Sequence, residues 1–194
     1  MIELVFATNN KNKQKEIQAV LPPQLKVLSL KDIGCLEELP ETHATIEENS
    51  MEKAVYVREK YGYPCFAEDT GLEVAALNGA PGVYSARYAG TGVAADNIAH
   101  LLFELNGITD RRARFKTVFT LVTDTALEQF TGIINGTITQ QPTGEGGFGY
   151  DPVFLPTGYE ITFAEMEPSV KQVISHRALA FQKLVTFLET TYKL

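Results

Sequence analysis

Positive charge is scarce in this chain. Seventeen Lys and Arg stand against 24 Asp and Glu, a formal net charge of −7. A protein that grips DNA or RNA by its backbone presents a basic face, so nucleic acid is not an expected partner. A nucleotide stays compatible, because bound metal offsets phosphate charge locally. Cysteine is nearly absent. Cys35 and Cys65 match no metal-ligand or redox spacing and read as reduced, buried thiols. No segment approaches the ~18 consecutive apolar residues of a membrane span, so no membrane partner is expected. Met1–Phe6 has no basic n-region and too short an apolar run for a signal peptide. The expectation is a soluble, cytoplasmic protein. Internal repeats, low-complexity tracts and Pro/Ser linkers are missing as well, so residues 1–194 are expected to form a single domain without a separable linker. Nor does a Ser-His-Asp or Cys-His arrangement stand out, which leaves covalent catalysis without support. His43 and His100 read as structural or exposed.

A hydrophobic share of 44% is ample for a sizeable core. Ile2–Ala7 reads as a buried strand and Thr8–Lys13 as the loop after it. A helix then carries Ile17, Val20 and Leu21 on one face. Lys26–Leu30 is a candidate strand. Thr45 and Glu48 have the spacing of a capping box, which predicts a helix over Ile46–Tyr61. Pro64–Ala67 reads as a strand running into Glu68-Asp69 and breaking at Thr70-Gly71. Gly79-Ala80-Pro81-Gly82 is a turn by its chemistry. Asp96 is placed as the cap of a helix with Ile98, Leu101, Leu102 and Leu105 on one face. Ala113–Thr123 and Glu128–Thr139 are β-rich and hairpin-like around 123–127. Gly144–Gly149 is a glycine-rich loop, and from Ser175 a last helix buries Phe181, Leu184, Val185 and Leu188. Helices and strands alternate early and hairpins follow, which makes the fold class α/β with a mixed sheet.

Three constellations carry chemistry beyond the acidic pair. Glu68-Asp69 itself is a natural holder of a hard cation, since Mg²⁺ takes oxygen ligands and needs only one or two carboxylates plus substrate phosphates. Thr8-Asn9-Asn10-Lys11-Asn12-Lys13 places Asn and Lys between a strand and a helix N-terminus, where backbone N–H groups and the helix dipole favour phosphate. It lacks the glycines and the Gly-Lys-Ser/Thr ending of a P-loop. Gly146-Gly147-Phe148-Gly149-Tyr150-Asp151-Pro152 lets backbone approach a flat ligand on which Phe148 stacks, with Asp151 accepting from a base edge. Ser175-His176-Arg177, with Lys171 upstream, puts cations in the first turn of a helix. They oppose the dipole there, which hints at an oxygen ligand.

Together these runs, with Glu41-Thr42 through Glu48-Asn49 and Gly79–Tyr88, resemble the inosine-triphosphate pyrophosphatase family in order and span. The resemblance implies a long twisted mixed sheet with flanking helices, two lobes around a central nucleotide cleft, and a homodimer. It implies Mg²⁺-dependent hydrolysis of inosine, deoxyinosine and xanthosine triphosphates to monophosphate and pyrophosphate. By the same resemblance Thr8, Asn9, Asn10, Lys11, Asn12 and Lys13 hold the triphosphate. Asp69 is the general base and a metal ligand with Glu68 and Glu41, and Thr70 touches substrate. Phe148, Gly149, Tyr150, Asp151, Lys171, His176 and Arg177 form the base and phosphate pocket. Many bacterial members have Asp-Asp-Ser-Gly where this chain has Glu68-Asp69-Thr70-Gly71, and Glu-Glu-Thr where it has Pro40-Glu41-Thr42. Which of Glu41 and Glu68 is a direct ligand therefore stays open. Attack at the α-phosphorus is implied by the resemblance alone. Hypoxanthine and xanthine carry a keto oxygen at C6 where adenine carries an amine, so donors on His176 and Arg177 would favour the former. A nucleotide sensor without turnover would have no need of Glu68-Asp69. The segment Gly79–Tyr88 is left between pocket, dimer contact and simple turn.

Overall fold

The computed structural model describes residues 2–192. Among them, seven strands form one mixed sheet with the path β2-β1-β3-β5-β6-β7, and β4 pairs with β3 off that path. The strands are β1 (Ile2–Phe6), β2 (Leu25–Leu28), β3 (Cys65–Val74), β4 (Pro81–Gly82), β5 (Arg112–Val122), β6 (Leu127–Ile138) and β7 (Phe154–Pro156). The helices are α1 (Lys11–Ala19), α2 (Ile46–Tyr61), α3 (Ala94–Glu104), α4 (Pro168–Ile174) and α5 (His176–Tyr192). β1 runs parallel to β2 and β3, whereas β3–β4 and β6–β7 are antiparallel. The mixed α/β class is therefore as expected.

The chain divides into two compact units. One comprises Met1–Asp69, Thr117–Gly132 and Arg177–Leu194, the other Thr70–Lys116 and Ile133–His176. In the first unit, strand alternation feeds two cores. Leu4, Phe6, Phe66, Phe119 and Leu121 face Ile17 of α1 and Phe181, Leu184 and Leu188 of α5. Val5, Ala7, Cys65, Ala67 and Val122 face Ala54 and Val57 of α2. Side chains of period two thus leave 4–7 of β1 and the residue after it, and 65–69 of β3, buried at every position, as a sheet covered on both faces requires. The second unit packs Ile98 and Leu101 of α3, and Leu105 that caps its end, against Leu72, Val74, Phe115, Ile138 and Phe154. Cys35 and Cys65 are free and buried, as their spacing implied.

Local chemistry sets most boundaries. Thr45 Oγ1 caps α2 by accepting from the Glu48 amide, and it donates to the Glu48 carboxylate at 2.7 Å, so the expected Thr45–Glu48 pair forms but closes through the hydroxyl. Gly62, at φ +77°, closes that helix in the left-handed region where a Cβ would be strained. Thr123 Oγ1 accepts from the amides of Thr125 and Ala126 in the β5–β6 turn.

Four expectations change. β3 does not end at Ala67 or break at Thr70-Gly71; it runs on to Val74. Leu72 and Val74 are fully buried, and Leu72 and Glu73 pair with Gly82 and Pro81, so ladder and burial override the turn preference of Thr-Gly. β2 stops at Leu28, because Asp32 captures the Ser29 amide at 2.7 Å and takes it out of the ladder. α3 begins at Ala94 with Val93 as its extended cap, and Asp96 lies inside the first turn, accepting from Thr91 Oγ1. α1 ends at Ala19, leaving Val20 exposed beyond it. The short helix α4, with Pro168 at its start, was not foreseen; Ser175, extended, separates it from α5.

Candidate active site

The acidic residues are placed by the pleat of β3. Phe66 faces α1 and α5, while Cys65 and Ala67 face α2. Two residues further along each row, Glu68 joins the first face and Asp69 the second. The adjacent carboxylates consequently serve different partners.

Glu68, with its side chain wholly buried, receives Arg177 Nε at 2.9 and 3.1 Å and Lys13 Nζ at 2.8 Å. Arg177 Nη1 also donates to Glu16 of α1 at 2.5 Å. The four side chains alternate in sign. Burial alone would push the Glu68 carboxyl up, yet the Arg177 and Lys13 charges win and hold it down at about 2. Arg177 is raised above its ordinary range by Glu68 and Glu16, against the pull of its own burial. Asn10 caps α1 from just before Lys13, accepting from the Asn12 and Lys13 amides at 2.9 and 3.2 Å. Thr8 is buried, with its carbonyl accepting from Gln14 Nε2 at 2.9 Å; Asn9, Asn10, Lys11 and Asn12 are exposed.

On the other face, Asp69 meets α2. Lys53 Nζ lies 3.5 Å from Asp69 Oδ1 and is in close contact with Glu41 Oε1, so the two carboxylates converge on one cation. Asn49 Nδ2 reaches Asp69 Oδ2 at 3.5 Å and the His43 carbonyl at 3.2 Å, and its Oδ1 accepts from the His43 amide at 2.9 Å. Asn49 thereby ties the segment that bears Glu41 to the strand that bears Asp69. The accepting atoms of Asp69 and Glu41 are hard carboxylate oxygens of the kind that suit a small divalent cation. Among the described residues no group of three or more His, Cys, Asp or Glu is gathered as a metal site.

The second unit holds the glycine-rich loop. Asp151 Oδ2 accepts from the Phe148 amide at 2.7 Å and from Lys171 Nζ at 2.6 Å. Lys171 in turn lies over the rings of Phe148 and Phe163, at 5.0 and 5.5 Å from their centroids. A Cβ on Gly147 would fall 2.0 Å from Asp151 Oδ2, and the residue sits at φ +69°. Only glycine lets this carboxylate close against the loop backbone. His176 stacks on Phe115, centroids 4.7 Å apart and planes 21° from parallel. Both His176 and Arg177 are buried.

The model for the Ham1 family matches residues 4–187, a span that contains all of these side chains. The chain belongs to the Ham1 family. A dITP/XTP pyrophosphatase from Flavobacterium johnsoniae is 53% identical over 191 residues, covering 98% of this chain and all of its own. One from Porphyromonas gingivalis is 50% identical over 190 residues, covering 97% of this chain and 98% of its own. A HAM1 protein from Coxiella burnetii superposes with a TM-score of 0.91 at 37% identity, over 98% of this chain and 100% of that one. The Staphylococcus aureus Ham1 protein gives 0.90 at 38% identity, over 97% and 99%.

In this family member the structure brings Lys13, Glu68 and Arg177 together, Glu41 and Asp69 together, and Phe148, Asp151 and Lys171 together. Thr70 follows Asp69 on β3 and is partly buried. Gly149 takes φ +61° in the loop. Tyr150 is buried, and its hydroxyl donates to the Ser85 carbonyl at 2.9 Å.

Three residues were given no role by the sequence: Glu16, Lys53 and Asn49, the last lying at the end of the run from Glu41-Thr42 to Glu48-Asn49. The last two left a signal. The inner face of α2 reads Ile46, Asn49, Ser50, Lys53, Ala54, Val57, all buried. Three polar residues at positions where the helical period demands apolar ones mark a face that meets other polar groups. Glu16, on a short polar helix, carried no such mark.

Proposed function

We propose that this chain hydrolyses inosine, deoxyinosine and xanthosine triphosphates to the monophosphate and pyrophosphate, as a Mg²⁺-dependent, cytoplasmic homodimer that cleanses the nucleotide pool. The names of its relatives support the substrate class. The observation that carries the chemistry is the convergence of Asp69 and Glu41 on a single cation, Lys53. Two carboxylates so held need only phosphate oxygens and water to complete a magnesium shell. In this reading Glu41 and Asp69 are the direct ligands. Glu68 acts one step back, through Lys13 and Arg177. Bound Mg²⁺ would supply charge neutralisation on the phosphates.

The remaining steps belong to side chains. Asp69 is the general base that orients and deprotonates water for attack at the α-phosphorus. Lys13, held by Glu68 beside the capped start of α1, stabilises charge on the triphosphate together with Thr8–Asn12. Phe148 offers a ring to the base, and Asp151 with Lys171 offers both an acceptor and a donor. His176 and Arg177 favour a keto oxygen over an amine at C6, with Arg177 oriented by its two carboxylates. Among the described residues no helix is long and apolar enough to cross a membrane.

The test is pyrophosphate release from inosine, xanthosine, adenosine, guanosine and cytidine triphosphates, each with Mg²⁺ and with chelator, beside light scattering for the dimer. Strong preference for the first two, lost with chelator, is expected. Equal turnover of all five would discard the keto-reading role. Tight nucleotide binding with no turnover would leave a sensor in place of an enzyme.

A further inference from the structure

Ser85 stands at a hydrogen-bond hub in the second unit. Its Oγ accepts from the Leu72 amide of β3 at 2.9 Å and donates to the Gly82 carbonyl at 2.6 Å. Its own carbonyl accepts from the buried Tyr150 hydroxyl at 2.9 Å. Leu72 is also the ladder partner of Gly82, so Ser85 closes the turn after β4 back onto the strand that β4 pairs with. Gly82, at φ +55°, gives the chain the reversal this needs. On the far side Tyr150 packs in the core with Leu72, Val153 and Phe154, and the next residue is Asp151, which holds the Phe148 amide and Lys171.

We propose that Ser85 is a positioning residue: it fixes the glycine-rich loop 146–151 to β3 at Leu72, using Tyr150 as the strut. This rests on the reading that the loop holds the purine base. It assigns a role to the segment Gly79–Tyr88 and makes Tyr150 a support of the pocket instead of a contact to substrate. A strut of this kind acts on how well the base is held. Chemistry at Asp69 should feel it little, so KM moves more than kcat.

The experiment compares wild type with Ser85→Ala, Ser85→Thr and Tyr150→Phe. It uses steady-state pyrophosphate release from inosine triphosphate and amide hydrogen exchange on the same nucleotide-free proteins. Ser85→Ala is expected to speed exchange at both Leu72 and Phe148 and to raise KM about fivefold, the worth of roughly one hydrogen bond, with kcat within about twofold. Ser85→Thr, which keeps the hydroxyl, should restore both. Tyr150→Phe should raise KM and loosen Phe148 while leaving Leu72 protected. Faster exchange at Leu72 alone, with Phe148 and KM unchanged, would reduce Ser85 to a local turn and overturn the proposal. If Ser85→Ala does not fold, Tyr150→Phe decides by the same readouts. A wild type without turnover would sink the functional reading, whereas exchange at Phe148 would still decide the strut.

Discussion

The carboxylates of Glu68 and Asp69, neighbours in the chain, leave β3 on opposite faces of the sheet. Glu68 is neutralised by Arg177 and Lys13; Asp69 looks toward Lys53 and Glu41. A continuous strand makes this unavoidable, because successive side chains alternate. The two acids therefore meet different partners, and that separation has consequences that experiments can reach.

Metal dependence should divide accordingly. Removing the charge of Glu41 with Glu41→Gln is expected to raise the Mg²⁺ concentration for half-maximal turnover about tenfold or more, as loss of a group next to the ion commonly does. Glu68→Gln should move that concentration little and instead raise KM for the triphosphate, since it releases Lys13 and Arg177. A magnesium titration of both variants settles the assignment; equal shifts would put both acids on the ion.

Acid should unfold the first unit through Glu68. Its folded carboxyl sits at about 2 against an ordinary 4.5. A depressed acid stabilises the fold above its unfolded value, and that stability drains as pH falls from about 4.5 to about 2. The full amount is about 3 kcal/mol. Denaturant titrations at steps between about pH 6 and pH 2.5 should show a slope in wild type that Glu68→Gln, though less stable at neutrality, largely lacks. Parallel curves for the two proteins would contradict the assignment.

Arg177→Lys keeps the charge but not the fork. A lysine ammonium is a point charge on a flexible stem and does not span two carboxylates as Nε and Nη1 do here. Leaving Glu68 buried with one partner fewer should cost about 3 kcal/mol of stability. The ratio of inosine- to adenosine-triphosphate turnover should fall by about tenfold, through loss of the oriented donor. An unchanged ratio in a folded variant would remove Arg177 from base selection.

Gly147→Ala tests the loop without touching charge. The new Cβ has no room beside Asp151 Oδ2, which Lys171 and the Phe148 amide hold in place, and φ +69° is strained for alanine. The backbone strain alone is about 1–2 kcal/mol. KM for inosine triphosphate should rise about tenfold, with kcat changed less. Equal loss in kcat, or none in either constant, would show that the Asp151–Lys171 arrangement does not hold substrate.

Much of this protein is legible in its sequence. Thr45 and Glu48 announced the start of α2, because a cap is satisfied within four residues. The faces of α3 and α5 followed from the spacing of Ile98, Leu101 and Leu105 and of Phe181, Leu184 and Leu188. The order of the polar runs pointed to the family and its chemistry. Tertiary structure decided the rest. Thr70-Gly71 reads as a turn until Leu72 finds a ladder partner and a core. Glu68 reads as one half of an exposed acidic pair until Arg177, 109 residues away in the chain, donates to both its oxygens. Asn49 and Lys53 look like ordinary helix residues until Glu41 and Asp69 arrive on the same side. Caps and periodicity are written in short-range sequence because their partners lie within a turn or two. Which charges meet is fixed only when distant strands and helices pack, and in a buried site that meeting determines what each acid does.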